Sequence, residues 1–99
     1  MSAYIIFIRN KTHDPAGMAP YAELVKSSPA ARHGLEMIVS RNSRFQVLEG
    51  DPEAEFAVML RFPTMADALG WYNSEEYRKA REFRQAAADS RVIIVEGDS

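Results

Sequence analysis

The sequence predicts an α+β domain in which helices cover one side of a mostly antiparallel sheet. Three observations carry this reading. Short β-rich segments and two regions of helical apolar spacing follow one another in the order β-α-β-β-α-β. The chain has 99 residues, 46% of them hydrophobic, which supplies one core and not two, so residues 1–99 read as a single domain. With no cysteine, packing alone must hold that core, and disulfides, thiolate metal sites and thiol nucleophiles are excluded.

Residues 4–9, Tyr-Ile-Ile-Phe-Ile-Arg, are apolar at both parities and predict a central strand covered on two sides. Thr12-His13-Asp14-Pro15 supplies turn chemistry, and Met18, Tyr21, Leu24 and Val25 recur at helical spacing up to Ser27-Ser28-Pro29. Pro20 is comfortable only in a first turn, which places the helix start near Ala19. Residues 30–33 form one short turn, and Gly34 is suited to the position after a helical end. Residues 35–41 and 44–49 predict two strands joined at Asn42-Ser43 as a hairpin, and Gly50-Asp51-Pro52 separates them from residues 54–62. There Phe56, Val58, Leu60 and Phe62 alternate with Glu55, Ala57, Met59 and Arg61, the clearest strand in the chain.

Thr64 is placed to cap a helix whose stripe is Met65, Ala68, Leu69 and Tyr72. Asn73-Ser74 interrupts it, Ser74 caps a second helix with Glu75 and Glu76 in its first turn, and residues 77–88 carry that helix onward. Asp89-Ser90 ends it, residues 91–96 form the last strand, and Gly97-Asp98-Ser99 is a tail. This order is that of a ferredoxin-like plait with a four- or five-stranded, mostly antiparallel sheet. The first and last strands are apolar at both parities, Ile5/Phe7 with Ile6/Ile8 and Val92/Ile94 with Ile93/Val95. The face without helices therefore needs cover, and the simplest cover is a second copy, a homodimer through sheet faces.

A net charge of -2 and a pI near 5.6 argue against nucleic acid as partner. The apolar run of residues 3–8 is about a third of a membrane span, so the chain reads as soluble and cytoplasmic with no membrane partner. There is no nucleophile elbow, no phosphate-binding loop and no haem motif, so no cofactor is expected, and His13 and His33 without a carboxylate-ligand motif give no case for a metal.

The stretch Glu55-Phe56-Ala57-Val58-Met59-Leu60-Arg61-Phe62-Pro63-Thr64, continuing into Ala68-Leu69-Gly70-Trp71-Tyr72-Asn73-Ser74-Glu75-Glu76-Tyr77, resembles the small bacterial proteins grouped as domain of unknown function 1330. The closing run Arg84-Gln85-Ala86-Ala87-Ala88-Asp89-Ser90-Arg91, then Val92 to Gly97, resembles that family's last segment, so the likeness spans residues 3–97. His33-Gly34 stands where the family carries a short glycine-containing link, with Leu35 in place of its second glycine. The resemblance implies the dimeric α/β-barrel superfamily, whose ferredoxin-like subunits pair their sheets. It assigns no reaction, although related barrels include monooxygenases, haem-associated enzymes, decarboxylases and isomerases. It also marks Arg84, Asp89, Ser90 and Arg91 as a structural motif.

Among residues with chemistry, His33 is the candidate acid/base, because imidazole exchanges a proton near neutral pH; its structural alternative is contact with helix-terminal carbonyls. His13 sits in an exposed turn setting. Arg41, beside Arg44 at the hairpin turn, and Arg61, on the strand face away from the helices, are candidates to receive an anionic group, with solvation and an internal ion pair as their alternatives. Trp71 and Tyr72, with Tyr77, surround the helix break and could wall a pocket or simply pack. Asp89 is placed to organise the turn before the last strand, with an arginine or backbone donors satisfying its carboxylate. The resulting expectation is a small-molecule-binding dimer acting, as a cofactor-independent enzyme, on a small anionic or polar metabolite. Its alternative is a noncatalytic ligand-binding or structural accessory dimer.

Overall fold

The computed structural model describes residues 1–50 and 54–98, so Asp51-Pro52 of the expected turn and Ser99 of the tail lie outside the described residues. In chain order the elements are β1 (Ala3–Thr12), α1 (Met18–Val25), a 3-10 turn (Ala31–His33), β2 (Glu36–Val39), β3 (Phe56–Phe62), α2 (Met65–Tyr72), α3 (Glu75–Ala87) and β4 (Ala88–Glu96). The strands form one antiparallel four-stranded sheet in the order β2-β3-β1-β4. This is the ferredoxin-like plait of the sequence reading, with four strands and not five.

Two expectations are corrected. The first is the dimeric α/β barrel: the sheet is open, with β2 and β4 at opposite edges. Closure with a filled interior takes about eight strands, and here β2 is only four residues long, with its register broken between Met37 and Val39. The second is the strand at residues 44–49, which are not in the sheet. β2 pairs directly with the longer, more apolar β3, Glu36 opposite Arg61 and Met37 opposite Leu60, while Leu48 is 85% exposed. The alternation starting at Arg44 breaks phase at Val47-Leu48 and buries too little to compete for that edge.

Boundaries move for local reasons. α1 begins at Met18, leaving Pro20 inside its first turn where no amide hydrogen is needed. β1 extends to Thr12, and β4 starts at Ala88 with no intervening turn, so Asp89 and Ser90 are strand residues opposite Lys11 and Arg9. The two cap signals are realised: Thr64 Oγ1 accepts from the Asp67 amide at 3.0 Å, and Ser74 Oγ accepts from the Tyr77 amide at 3.2 Å.

Strand alternation sorts the side chains into two faces. Ala3, Ile5 and Phe7 face the helices, and their register partners Phe62, Leu60 and Val58 on β3 and Ile94 and Val92 on β4 share that face. Helices α2 and α3 close over it with Ala68, Trp71, Tyr77 and Ala80, all buried. Trp71 is the centre of this packing, with ring centroids 4.1 Å from Tyr77 and 5.6 Å from Phe62, and its indole donates to Ser28 Oγ at 3.1 Å. On the opposite face Tyr4, Ile6, Ile8 and Met59 are half-buried, and Ile93 and Val95 are each 42% exposed. No helix among the described residues is long and apolar enough to cross a membrane.

Gly34 links the 3-10 turn to β2 with φ 69°, and a Cβ there would come within 2.8 Å of the Pro63 ring. Gly34→Ala is therefore expected to destabilise the fold by about 1–3 kcal/mol through left-handed backbone strain and a steric clash. A chemical-denaturation midpoint equal to that of the parent would contradict this geometry.

Candidate functional site

A gutter runs between β4 and helices α2 and α3. The helix-facing residues of β4 form its floor in sequence order, Ser90, then Val92, then Ile94, so its character changes from polar to apolar along the strand. At the polar end lies a cleft of about 400 Å³ bordered by Asn10, Tyr72, Arg84, Gln85, Asp89 and Ser90. It continues into an apolar compartment of about 140 Å³ against Ile5, Leu69 and Ile94, and Tyr72 and Val92 border both.

Arg84 is the unusual group. It is only 3% exposed, it projects from α3 toward the sheet, and its Nε and Nη2 have no hydrogen-bond partner among the described residues. Its guanidinium carbon stands 5.6 Å from the Phe7 ring centroid and 6.0 Å from that of Tyr21, within cation–π range. None of the ion pairs among the described residues includes Arg84 or Arg9.

Arg9 is the second buried cation, 8% exposed, on the same face of β1 as Ile5 and Phe7. Its Nε donates to Ser90 Oγ at 3.0 Å and its Nη1 to Thr12 Oγ1 at 3.1 Å, and it lies over Phe56 at 4.9 Å. Burial pulls its pKa below the ordinary arginine value; Tyr21 opposes that, and the Arg84 charge adds to it. Two neighbouring cations are thus held where water is scarce, a setting that favours an anion.

The other polar groups are oriented to match. Ser90 accepts from Arg9, which leaves its own hydroxyl proton free to donate. The register shift between Arg9 and Lys11 makes Asn10 a bulged residue, and it borders the cleft. Asp89, at the mouth, is held by His13 Nε2 at 2.8 Å. Behind Arg84 the Tyr21 and Tyr77 hydroxyls are 2.9 Å apart, and Tyr77 titrates far above its ordinary range because of burial first and Tyr21 second.

The structure brings Tyr72, Arg84, Asp89 and Ser90 together and places the other sequence candidates elsewhere. His33, with its side chain 20% exposed, has Nδ1 3.6 Å from Asp67 Oδ1 and packs on Gly70, where a Cβ would come 2.7 Å from its ring. It clamps the 3-10 turn to α2 and borders neither compartment. Arg41 is exposed and lies over Phe56 at 5.5 Å; Arg61, exposed on the open sheet face, donates to Ser2 Oγ at 3.2 Å. Trp71 is core, and Arg91 is exposed opposite Ile8 on the open face. Arg9 and Asn10 were not legible as site residues, though Arg9 carries a signal: a charge in phase with the core positions Ile5 and Phe7. Among the described residues no three His, Asp or Glu side chains cluster to hold a metal.

The model of the family described as "Domain of unknown function (DUF1330)" matches residues 2–98. The chain belongs to this family. Solved structures of similar fold include a protein of unknown function from Rhodopseudomonas palustris, 20% identical, covering 99% of this chain and 83% of that one at a TM-score of 0.67. A dimeric ferredoxin-like protein of unknown function from Jannaschia sp. CCS1 is 10% identical, covers 98% and 100%, and has a TM-score of 0.68. SnoaB, a cofactor-independent oxygenase from Streptomyces nogalater, is 8% identical, covers 99% and 93%, and has a TM-score of 0.55. At these identities the likeness is one of fold. No protein of curated function matches the sequence.

The tyrosine pair behind Arg84 has a measurable signature. A phenol whose folded pKa is raised contributes stability that is complete below its unfolded value of 10.0 and is lost as pH rises beyond it, because only the unfolded chain then ionises. Urea denaturation between about pH 8 and 11 should show the parent losing stability more steeply than Tyr77→Phe, with the variant about 1 kcal/mol less stable at neutral pH for want of the hydroxyl pair. Parallel alkaline slopes would contradict the buried placement of Tyr77.

Proposed function

We propose that this protein binds a small organic anion in the gutter between β4 and helices α2 and α3, with Arg84 as the receiver. One observation carries the reading: Arg84, whose buried Nε and Nη2 have no partner among the described residues, borders an open cleft. A buried cation with two unsatisfied donors is costly, whereas the same cation with a bound carboxylate makes charge-assisted, bidentate hydrogen bonds. Ser90 adds a hydroxyl donor oriented by Arg9, Asn10 adds an amide, and Tyr72, with Arg81 over its ring at 4.5 Å, forms the wall. His33 has a positioning part in this reading, since it holds α2 and hence Tyr72.

Side-chain NMR of Arg84 during titration with acetate and with inorganic phosphate tests the proposal directly. The Arg84 Nε resonance should shift and saturate, and Arg84→Met should weaken binding at least tenfold, the loss expected for a hydrogen-bonded charge. Because methionine fills the space without the desolvation cost, this variant should be as stable as the parent or more so. Equal anion binding by the two proteins would overturn the proposal.

We propose further that the open sheet face pairs with the same face of a second copy. Support comes from the apolar surface of Ile6, Ile8, Met59, Ile93 and Val95 and from the Jannaschia protein, which is a dimer. Sedimentation equilibrium at micromolar concentration should then give twice the 11.2 kDa chain mass, and Ile6→Lys, which places a charge at the centre of that face, should give the single-chain mass. A parent sedimenting at 11.2 kDa would remove the sheet-face dimer.

A further inference from the structure

Resting on the reading of the gutter as an anion site, we infer that the bound molecule is a monocarboxylate with a short apolar body, its head on Arg84 and its body along Val92 toward Ile94. The first argument is continuity. The polar cleft and the apolar compartment share Tyr72 and Val92, so one molecule can occupy both without a break in contact. Ser90, Val92 and Ile94 are successive helix-facing positions of one strand, so the head and tail subsites are about 13 Å apart at most.

The second argument is the geometry of the free donors. Nε and Nη2 lie on the same edge of the guanidinium, the edge that receives both oxygens of one planar carboxylate side by side. Arg9 gives its Nε to Ser90 and one Nη1 hydrogen to Thr12 and does not itself border the cleft, so it offers no second receptor there for another anionic group. Among the described residues Arg84 is the only cationic one that borders the cleft, so a second negative charge on the ligand would meet no cation there. One edge of one cation selects a single charge.

The third argument concerns the other end. Ile5, Leu69, Val92 and Ile94 offer that compartment no side-chain polar atom, and Leu69 is 42% exposed on the surface of α2. A hydrocarbon body lying there would cover Leu69 and gain the ordinary hydrophobic free energy for each methylene it buries.

The test is a chain-length series on the intact protein, titrating acetate, butanoate, hexanoate and octanoate by NMR or calorimetry, with hexanamide as the uncharged analogue and hexanedioate as the doubly charged one. Affinity should rise about fourfold per buried methylene until the compartment is full. Hexanamide should bind at least about tenfold more weakly than hexanoate, as should hexanedioate. Leu69→Asn, a substitution on an exposed helix position, should remove most of the gain from acetate to hexanoate. If acetate and hexanoate bind equally while binding still needs Arg84, the anion site stands and the apolar-body inference fails. Tighter binding of hexanedioate than of hexanoate also overturns the inference and leaves the anion site intact. If hexanamide matches hexanoate, or if no carboxylate binds at tens of millimolar, the anion site itself is wrong.

Discussion

The parity of strand β1 is the constraint on which the rest of the molecule depends. β1 is hydrogen-bonded along both edges, to β3 and to β4, so neither its register nor its facing can slip without disturbing three strands at once. Its odd residues Ala3, Ile5 and Phe7 are buried beneath the helices, and Arg9 follows them in phase onto the same side. Its even residues Tyr4, Ile6 and Ile8 define the open face. The buried cation of the site and the apolar surface proposed for pairing are thus two products of one alternation. A polar residue at position 9 could not be moved to the open face without moving Ile5 and Phe7 there too.

Helix placement converts that pattern into a site. The break at Asn73 and Ser74 lets α2 and α3 lie differently on the sheet, and Trp71 and Tyr77, on either side of it, lock the two together at 4.1 Å. Tyr72, next to Trp71, is thereby left half-buried at the β4 side, where it forms the wall common to both compartments. α3 then carries Arg84 two turns beyond Tyr77 onto the same buried side. The bulge at Asn10, where β1 has one residue more than β4, opens the sheet edge beside that guanidinium. Core packing and site construction use the same side chains, which is why the site lies between the layers and not in a surface loop.

Much of this fold is legible in the sequence because its signals are local. Thr64 and Ser74 mark helix starts by side-chain chemistry that needs no tertiary information, and the alternation from Phe56 to Phe62 requires only the strand period. The expected hairpin strand at residues 44–49 fails because pairing is a competition: β3, remote in sequence, offers β2 a better apolar edge than the adjacent segment does. The site is legible only in part for a related reason. Tyr72, Arg84, Asp89 and Ser90 stand out in sequence, but their convergence depends on the β1–β4 register, and Asp89 finds His13 across that pairing instead of an arginine. His33 is the converse case, a residue of high chemical interest that lies in the 3-10 turn and packs on Gly70 beside Asp67 of α2, away from both compartments.

The energetics of Arg84 connect binding to the fold itself. A methionine of similar length would fill the space against Phe7 and Tyr21 without loss of hydration, so retaining a cation there lowers the stability of the unliganded chain. The aromatic faces offset part of that cost, about 0.5–2 kcal/mol for a well-placed cation–π contact, but they offer no hydrogen-bond acceptor to the free Nε and Nη2. Asp89, the acid bordering the same cleft, is turned to His13 at 2.8 Å and forms no ion pair with Arg84. In the proposed reading the missing acceptors come from a molecule that enters through the cleft. Such a molecule binds the folded state alone, because only folding brings Arg84 of α3 to Ser90 of β4 and Asn10 of β1, and it stabilises that state in proportion to its concentration over its dissociation constant. Binding and folding thereby draw on one group of residues.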